Sequence, residues 1–320
     1  MITVALVATL AAGALWRQWR GVEVEAAERA RVQSAWLLSG ALDWSRLILS
    51  GDLSEDVKRQ NAQRPEPPTD HLGEAWAVPL AEARLSSFLA AGESSTDTDR
   101  EAFLSGQIVD LQSRLNVMNL LTSDKLKSLE ALERFQRLFS LLGLPNSELG
   151  ALQRNLTRAQ AAMGGGTAAD GADAPLMPRR FDQLAWLGLT PATLERLRPY
   201  VTLLPVQPNG PTPVNLNTAS AEVIFAAVPG LDLSAAQRLV AARERAYLTN
   251  AATALTGVAP PGQSPDTSWT SVSSAFFEVR GRLRLDQVAL EEVSAVHRQG
   301  VRRVSTLWRE RTALGVVLPR

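Results

Sequence analysis

His71 follows Asp70 directly and stands three residues before Glu74. An imidazole with two carboxylates in reach is the composition of an acid–base site. No nucleophile and no metal-ligand set accompanies it, so a structural, hydrogen-bonding histidine is the stronger expectation. His297 is far away in sequence, and the chain contains no cysteine. That excludes a thiolate metal site and a disulfide framework, and two distant histidines argue against a histidine-rich metal centre. No phosphate loop, zinc-ligand spacing or nucleophile elbow occurs. Asp43, Asp52 and Glu55 read as ordinary surface charges near a helix end. The chain is expected to be non-catalytic.

The other chemistry to weigh is phosphate binding. Residues 213–246, PVNLNTASAEVIFAAVPGLDLSAAQRLVAARERA, have the form of a helix-hairpin-helix. In DNA-binding versions two glycines in the turn let backbone N–H groups approach a phosphate, next to the positive end of the following helix. Here Pro229 and Gly230 open the turn, but Asp232 stands where the second glycine is expected. A carboxylate there repels phosphate and makes a good N-cap. Arg238, Arg243 and Arg245 are balanced by Glu222, Asp232 and Glu244, and the chain's formal net charge is +0. There is thus no global pull toward nucleic acid. Asn215, Asn217 and Thr218 read as a capped helix entry, with Asn217 or Thr218 satisfying free N–H groups ahead of Ala219. The hairpin is expected to be scaffold, with no nucleic-acid partner.

The elements that position these residues begin with an uncharged run over residues 1–16. A spanning helix needs about 20 apolar residues, with a lower limit near 17, so the run is slightly short. A signal peptide cleaved after Ala12-Gly13-Ala14, a buried core helix, and a membrane helix starting upstream of Met1 are the three readings. The last is favoured, because residues 17–50 continue as one proline-free helix. Its apolar positions Trp19, Val22, Ala26, Ala30, Trp36, Leu37 and Leu42 recur at spacings near three and four. Leu6, Leu10, Leu15, Trp19 and Val22 are the candidate membrane and partner-helix contacts. Gly51-Asp52 is expected to stop the helix, with a loop over 52–69 and a short strand over 76–80. Residues 94–101 read as a polar turn, and 102–121 as a strand or two leading into a loop. A helix over 122–142 is capped by Ser123, carries a stripe of Leu126, Leu129, Leu132, Phe135, Leu138 and Phe139, and stops at Gly143. A helix over 147–163 runs into a Gly/Ala/Asp loop, and two short helices flank Gly188, the second opened by Thr190-Pro191. Another loop covers 259–268. Near the C-terminus Phe277, Val279, Leu283 and Leu285 alternate with Glu278, Arg280, Arg282 and Arg284, the period of a strand. Further strand-like segments cover 288–297 and 301–311. The fold class is therefore α+β, with a helical middle inserted between strand-bearing segments.

Four blocks in order resemble one family. HLGEAWA (71–77) resembles the D-H-L-G-E-x-W stretch of the K-type minor pseudopilin of type II secretion. DLQSRLNVMNL (110–120) resembles its D-x-x-G-R-F-N-L-N-N-L, the hairpin entry its I-N-V-N-T-A, and SAFFEVRGRL (274–283) its S-x-Y-F strand. The likeness spans nearly the whole chain. A membrane-anchored competence DNA receptor, the alternative with an anchor and such a hairpin, would be shorter and lack these blocks.

The resemblance implies a pilin-like fold: a long N-terminal helix packed on an antiparallel sheet, with a large inserted α-helical domain of helix-hairpin-helix or SAM-like units. It implies an anchor helix over 1–50, α/β segments over 51–110 and 269–320, and an insertion over 111–268. It also implies a single-pass inner-membrane protein with a periplasmic C-terminal domain. That protein would join minor pseudopilins I and J (and H) at the pseudopilus tip, start assembly and block addition above it. The family lacks the glutamate near the helix start, and no acid precedes Glu23 here. The glycine-bearing leader is missing, so Met1 is expected to be a late or misassigned start. Ser113 and Leu115 replace the family's glycine and phenylalanine. Family members can bind calcium in the inserted domain, but the acidic D-W-x-D-x-D stretch reads Arg154-Asn155-Leu156-Thr157-Arg158 here. Asp170 and Asp173 are weak candidates against the six to eight oxygens calcium takes, and Asp97 and Asp99 read as a solvated turn. No conserved calcium site is expected.

Overall fold

A computed structural model describes residues 2–61, 67–85, 102–163, 174–208, 210–258, 266–285 and 288–316. Helix α1, Ile2–Gln60, is one continuous rod, roughly 90 Å long at about 1.5 Å per residue. Residues 2–29 are exposed all round. Further along, Ser34, Leu38, Leu42, Leu49 and Asp56 are buried, and their spacing keeps them on one stripe.

That helix runs past the expected stop. A glycine inside a helix costs only about 1 kcal/mol, and the turns beyond Gly51 are held from outside. Asp52 pairs with Arg298 at 3.1 Å, and Asp56 accepts from the Thr69 amide at 3.0 Å. Residues 52–60 are therefore helical rather than loop. The strand expected over 76–80 is instead a 3-10 turn, Ala75–Ala77, closed by the Ala77 amide on the Glu74 carbonyl, and strand β1 is Leu80–Arg84.

β1 pairs with β2, Ala102–Asp110, and β2 with β7, Phe276–Leu285. β8, Val288–Arg298, and β9, Val304–Val316, complete an antiparallel sheet ordered β1-β2-β7-β8-β9. α1 lies on this sheet through Leu42 and Leu49, which share a core with Trp76, Phe277, Val279 and Val296. Gly281 lets α1 come close: a Cβ there would stand 3.3 Å from the Leu38 side chain.

Everything between β2 and β7 leaves the sheet and returns beside it. This region holds β3 (Leu115–Asn116), α2 (Lys125–Leu141), α3 (Asn146–Met163) and a 3-10 helix over Phe181–Leu187. α4 (Pro191–Leu197), β4 (Val201–Thr202), β5 (Val214–Asn215), α5 (Ala221–Ala227), α6 (Leu233–Arg243), α7 (Ala251–Thr256) and β6 (Thr270–Ser271) follow. Its core is separate, a single cluster running in sequence from Leu115 to Trp269. Arg134 crosses it with its guanidinium 4.1 Å over the Trp269 ring and its Nε donating to the Ala227 carbonyl.

Local details shift by a residue or so. Asp124, not Ser123, caps α2, taking the Leu126 and Lys127 amides; its charge also suits the positive helix end. Leu126 and Leu129 start the predicted stripe but are exposed, and burial begins at Ala131. Residues 94–101, with Asp97 and Asp99, and the tract carrying Asp170 and Asp173 lie outside the described residues, as does most of the expected 259–268 loop.

Gly188 ends the 3-10 helix at φ +104°, and a Cβ there would meet the Ala151 Cβ at 2.9 Å. Gly188→Ala is expected to cost about 1–3 kcal/mol, read as a lower midpoint in chemical denaturation. An unchanged midpoint would show that this turn relaxes.

Candidate assembly site

The free half of α1 presents Leu6, Leu10, Leu15, Trp19 and Val22, all exposed. Among the described residues α1 is the helix long and apolar enough to cross a membrane, and its apolar window is wholly unburied. Where α1 reaches the sheet, a groove of about 620 Å³ opens between them, lined in part by Trp36, Trp44, Ile48, Val78, Leu104 and Ile108. Trp36 is 75% exposed and Trp44 61%, so indole surface is left uncovered along the groove. An apolar strip on an otherwise packed molecule marks a contact surface.

Next to Ile48 and Trp76 of this groove, a buried polar junction ties helix, sheet and helical region together. Arg298, at the end of β8, is buried. Its Nη2 donates to both Asp70 oxygens at 2.6 Å and to the Ser274 carbonyl at 2.7 Å. Its Nη1 reaches the Leu49 carbonyl and Asp52 on α1. Burial pushes the Asp70 carboxyl up, and the Arg298 charge opposes that rise. Asn215 is the hub on the helical side. Its Nδ2 lies 3.0 Å from the Asp70 carbonyl, 3.0 Å from Asp110 Oδ2 and 2.9 Å from Ser274 Oγ. Asp110 also accepts from Thr218 Oγ1 at 2.5 Å, Ser274 Oγ at 2.6 Å and the Gln112 amide at 2.7 Å. Burial pushes Asp110 up to about 6, against those hydrogen bonds.

The hairpin residues serve the fold. Ser220, rather than Asn217 or Thr218, caps α5 through the Val223 amide. The reason is that Asn215 Oδ1 takes the Asn217 amide in a tight turn, which delays the helix start. Asn217 then clamps both backbone groups of Leu248, and Thr218 goes to Asp110. Pro229 and Gly230 make the turn, with Gly230 at φ +82°. Arg137 on α2 occupies the carbonyls of Phe225 and Leu231 around it, each at 2.8 Å. Asp232 caps α6, accepting the Ala235 amide at 2.6 Å, and that bond lowers its pKa. The protein's own carboxylate thus sits where a phosphate would. Arg243 turns inward to the Leu216 carbonyl, leaving less basic surface than its sequence offers.

His71 stacks on Tyr247 at 4.2 Å with planes 7° apart, and burial lowers its pKa. Glu74 accepts from the His71 amide and from Trp76 Nε1. Asp70 belongs to Arg298. The possible acid–base group is therefore divided among structural contacts.

Sequence models described as type II secretion system (T2SS), protein K, match residues 113–206 and 214–273. The type II secretion system protein K of Pseudomonas aeruginosa strain PAO1 is 30% identical over 259 residues, 77% of this chain and 70% of that protein. The chain belongs to the type II secretion system protein K family. A K-family chain is a minor pseudopilin of type II secretion, and the relatives are components of the secretion machinery rather than enzymes. The fold agrees: a crystal structure of the GspK-GspI-GspJ complex from enterotoxigenic Escherichia coli matches with a TM-score of 0.51 at 16% identity, over 88% of this chain and 99% of that one. The long helix packed on an antiparallel sheet is the expected pilin-like arrangement.

Sequence reading missed Arg298, Ser274 and Asp52, which carry the junction. Asp52 is largely buried rather than a surface charge. Their only signal was a charged residue at the end of an otherwise alternating strand.

Asp70→Asn removes the closer of the two carboxylates on the buried Arg298 guanidinium and is expected to cost up to about 3–5 kcal/mol. Pairing it with Arg298→Met should recover part of that loss in denaturant unfolding, and additive losses would show that the pair acts separately. Burial holds the Asp110 carboxyl at about 6, above the ordinary aspartate range. Its contribution to stability is therefore fully present below about pH 4 and lost as pH rises through 6. Asp110→Asn should flatten that part of the stability–pH curve, and an unchanged slope would contradict the assignment.

Proposed function

We propose that this minor pseudopilin caps the tip of the type II pseudopilus. The apolar start of α1 holds it in the inner membrane, with its C-terminal domain in the periplasm. Minor pseudopilins I and J (and H) are its partners. The observation that carries this reading is the contrast along α1: its first half is exposed on every side, while its second half is fixed to the sheet. A helix so presented has its apolar side chains free for bilayer and partner helices at once. The complex named for the Escherichia coli structural neighbour supports the choice of partners.

In this reading residues 1–50 are the anchor and docking helix, although α1 itself runs on to Gln60. Residues 51–110 and 269–320 form the pilin-like α/β domain, and 111–268 the inserted helical domain that obstructs further addition. The helix-hairpin-helix and SAM-like units are scaffold within that insertion. The occupied N-terminus of α6 and the inward Arg243 support this against DNA binding.

Leu6→Lys with Leu10→Lys is expected to abolish membrane retention and pseudopilus assembly, because a charge at mid-bilayer costs about 2.5–3.5 kcal/mol per residue. Unchanged secretion would overturn the docking role. The purified full chain in detergent should form a stable complex with I and J and leave duplex DNA unshifted at near-physiological salt. Salt-sensitive DNA binding without that complex would replace this reading with a membrane-tethered DNA binder.

A further inference from the structure

The last turns of α1 carry Asp52 and Asp56, and Glu74 immediately precedes the 3-10 turn packed beside them. One carboxylate oxygen from each lies within 4.8 Å of the other two. Asp56 is 3% exposed and Glu74 9%. Among the described residues this is the group of three acidic or histidine side chains close enough to share an ion.

Part of this charge is met by the protein. Asp52 Oδ2 takes Arg298 Nη1 at 3.1 Å, and Asp56 takes the Thr69 amide and Arg59. Glu74 Oε2 accepts from Trp76 Nε1 at 2.6 Å and the His71 amide at 3.1 Å. Glu74 Oε1 accepts nothing, although the side chain is nine-tenths buried. His71 Nε2 stands 3.5 Å from it without hydrogen-bond geometry, and burial works against a charge on that imidazole. With Asp70, four carboxylates converge here on the guanidiniums of Arg298 and Arg59. Two negative charges stay unmatched in a poorly solvated place, which is costly without a counter-ion.

The geometry points to a calcium site formed by Asp52, Asp56 and Glu74, clamping the end of α1 to the segment that carries Asp70. The donors are all carboxylate oxygens, the set that hard divalent cations select. Calcium–oxygen bonds of about 2.3–2.6 Å let one ion bridge three oxygens roughly 4–4.5 Å apart, inside the spread of this cluster. Magnesium, at about 2.0–2.1 Å with strict octahedral demands, would need them closer. Asp52 is the least buried of the three, which leaves a side where water completes the shell. A proton on Glu74 would cancel one of the two unmatched charges; a divalent ion cancels both. The site lies in the α/β part of the chain, not in the inserted helical region, and it does not depend on the tip-capping reading.

The full chain in detergent, stripped with chelator, would be titrated with calcium chloride and followed by equilibrium dialysis and thermal unfolding. One ion per chain is expected to bind with a dissociation constant on the order of 10⁻⁴ M or tighter and to raise the unfolding midpoint. Glu74→Gln and Asp52→Asn should each weaken that binding at least tenfold. In chelator Glu74→Gln should unfold at or above the parent midpoint, since a buried unpaired charge is gone; this separates loss of the ion from loss of the fold. Asp170→Ala with Asp173→Ala should bind as the parent does. Absence of calcium binding in the parent, binding retained by both Glu74→Gln and Asp52→Asn, or binding lost only in the Asp170/Asp173 variant would each overturn the site.

Discussion

The buried ion pair between Arg298 and Asp70 is the contact on which the other parts converge. One guanidinium holds the last turns of α1 through Leu49 and Asp52, the segment after α1 through Asp70, and the entry to β7 through Ser274. Asp70 passes the constraint to Asn215 through its backbone carbonyl, and Asn215 passes it to Asp110 at the end of β2. Buried charge pairs contribute little net stability compared with apolar packing, because desolvation offsets most of the attraction. Their directional bonds instead select one arrangement. Here they fix how a rod, a sheet and a helical insertion meet, where the apolar clusters of the α/β part are small.

The turn between α5 and α6 has its polar groups occupied from within the chain. Gly230 still supplies the left-handed turn, so the backbone path is available. The Ala235 N–H at the start of α6 is taken by Asp232, and the Phe225 and Leu231 carbonyls by Arg137. What remains is a compact pair of helices whose interior residues Val223, Ile224, Ala235 and Leu239 are buried in the main core. Family membership and this local chemistry agree, and they rest on different observations.

What was legible in the sequence was local. The alternation from Phe276 onward, the glycine stop after α2 and the cap at Asp232 each depend on neighbours within a few residues, so type and spacing reveal them. What was hidden depends on residues far apart. Asp52 reads as a surface charge until Arg298, 246 positions away, is brought beside it. Gly51 reads as a terminus because the contacts that carry α1 past it come from the sheet and from Thr69. Leu126 and Leu129 continue a helical period, but the core they would face starts one turn later. The apolar stripe read along α1 includes Trp36, which is 75% exposed, whereas Ser34 and Leu38 beside it are buried, because contact with the sheet, and not the helical period alone, selects the packed face.

The adjacency of β2 and β7 carries a kinetic consequence. Their register runs from Ala102 opposite Leu285 to Asp110 opposite Phe277, yet the whole helical region separates them along the chain. During synthesis β2 emerges with one edge unmatched and waits until that region and β7 have followed. The pairing has a large loop-closure entropy to overcome and belongs to the slow class of long-range contacts. Meanwhile a bare strand edge is open to other chains. The helical region, whose core is its own, is free to collapse first and shorten the effective distance between the waiting strands. An insertion with a core of its own thus shortens the span that the sheet it interrupts has to close.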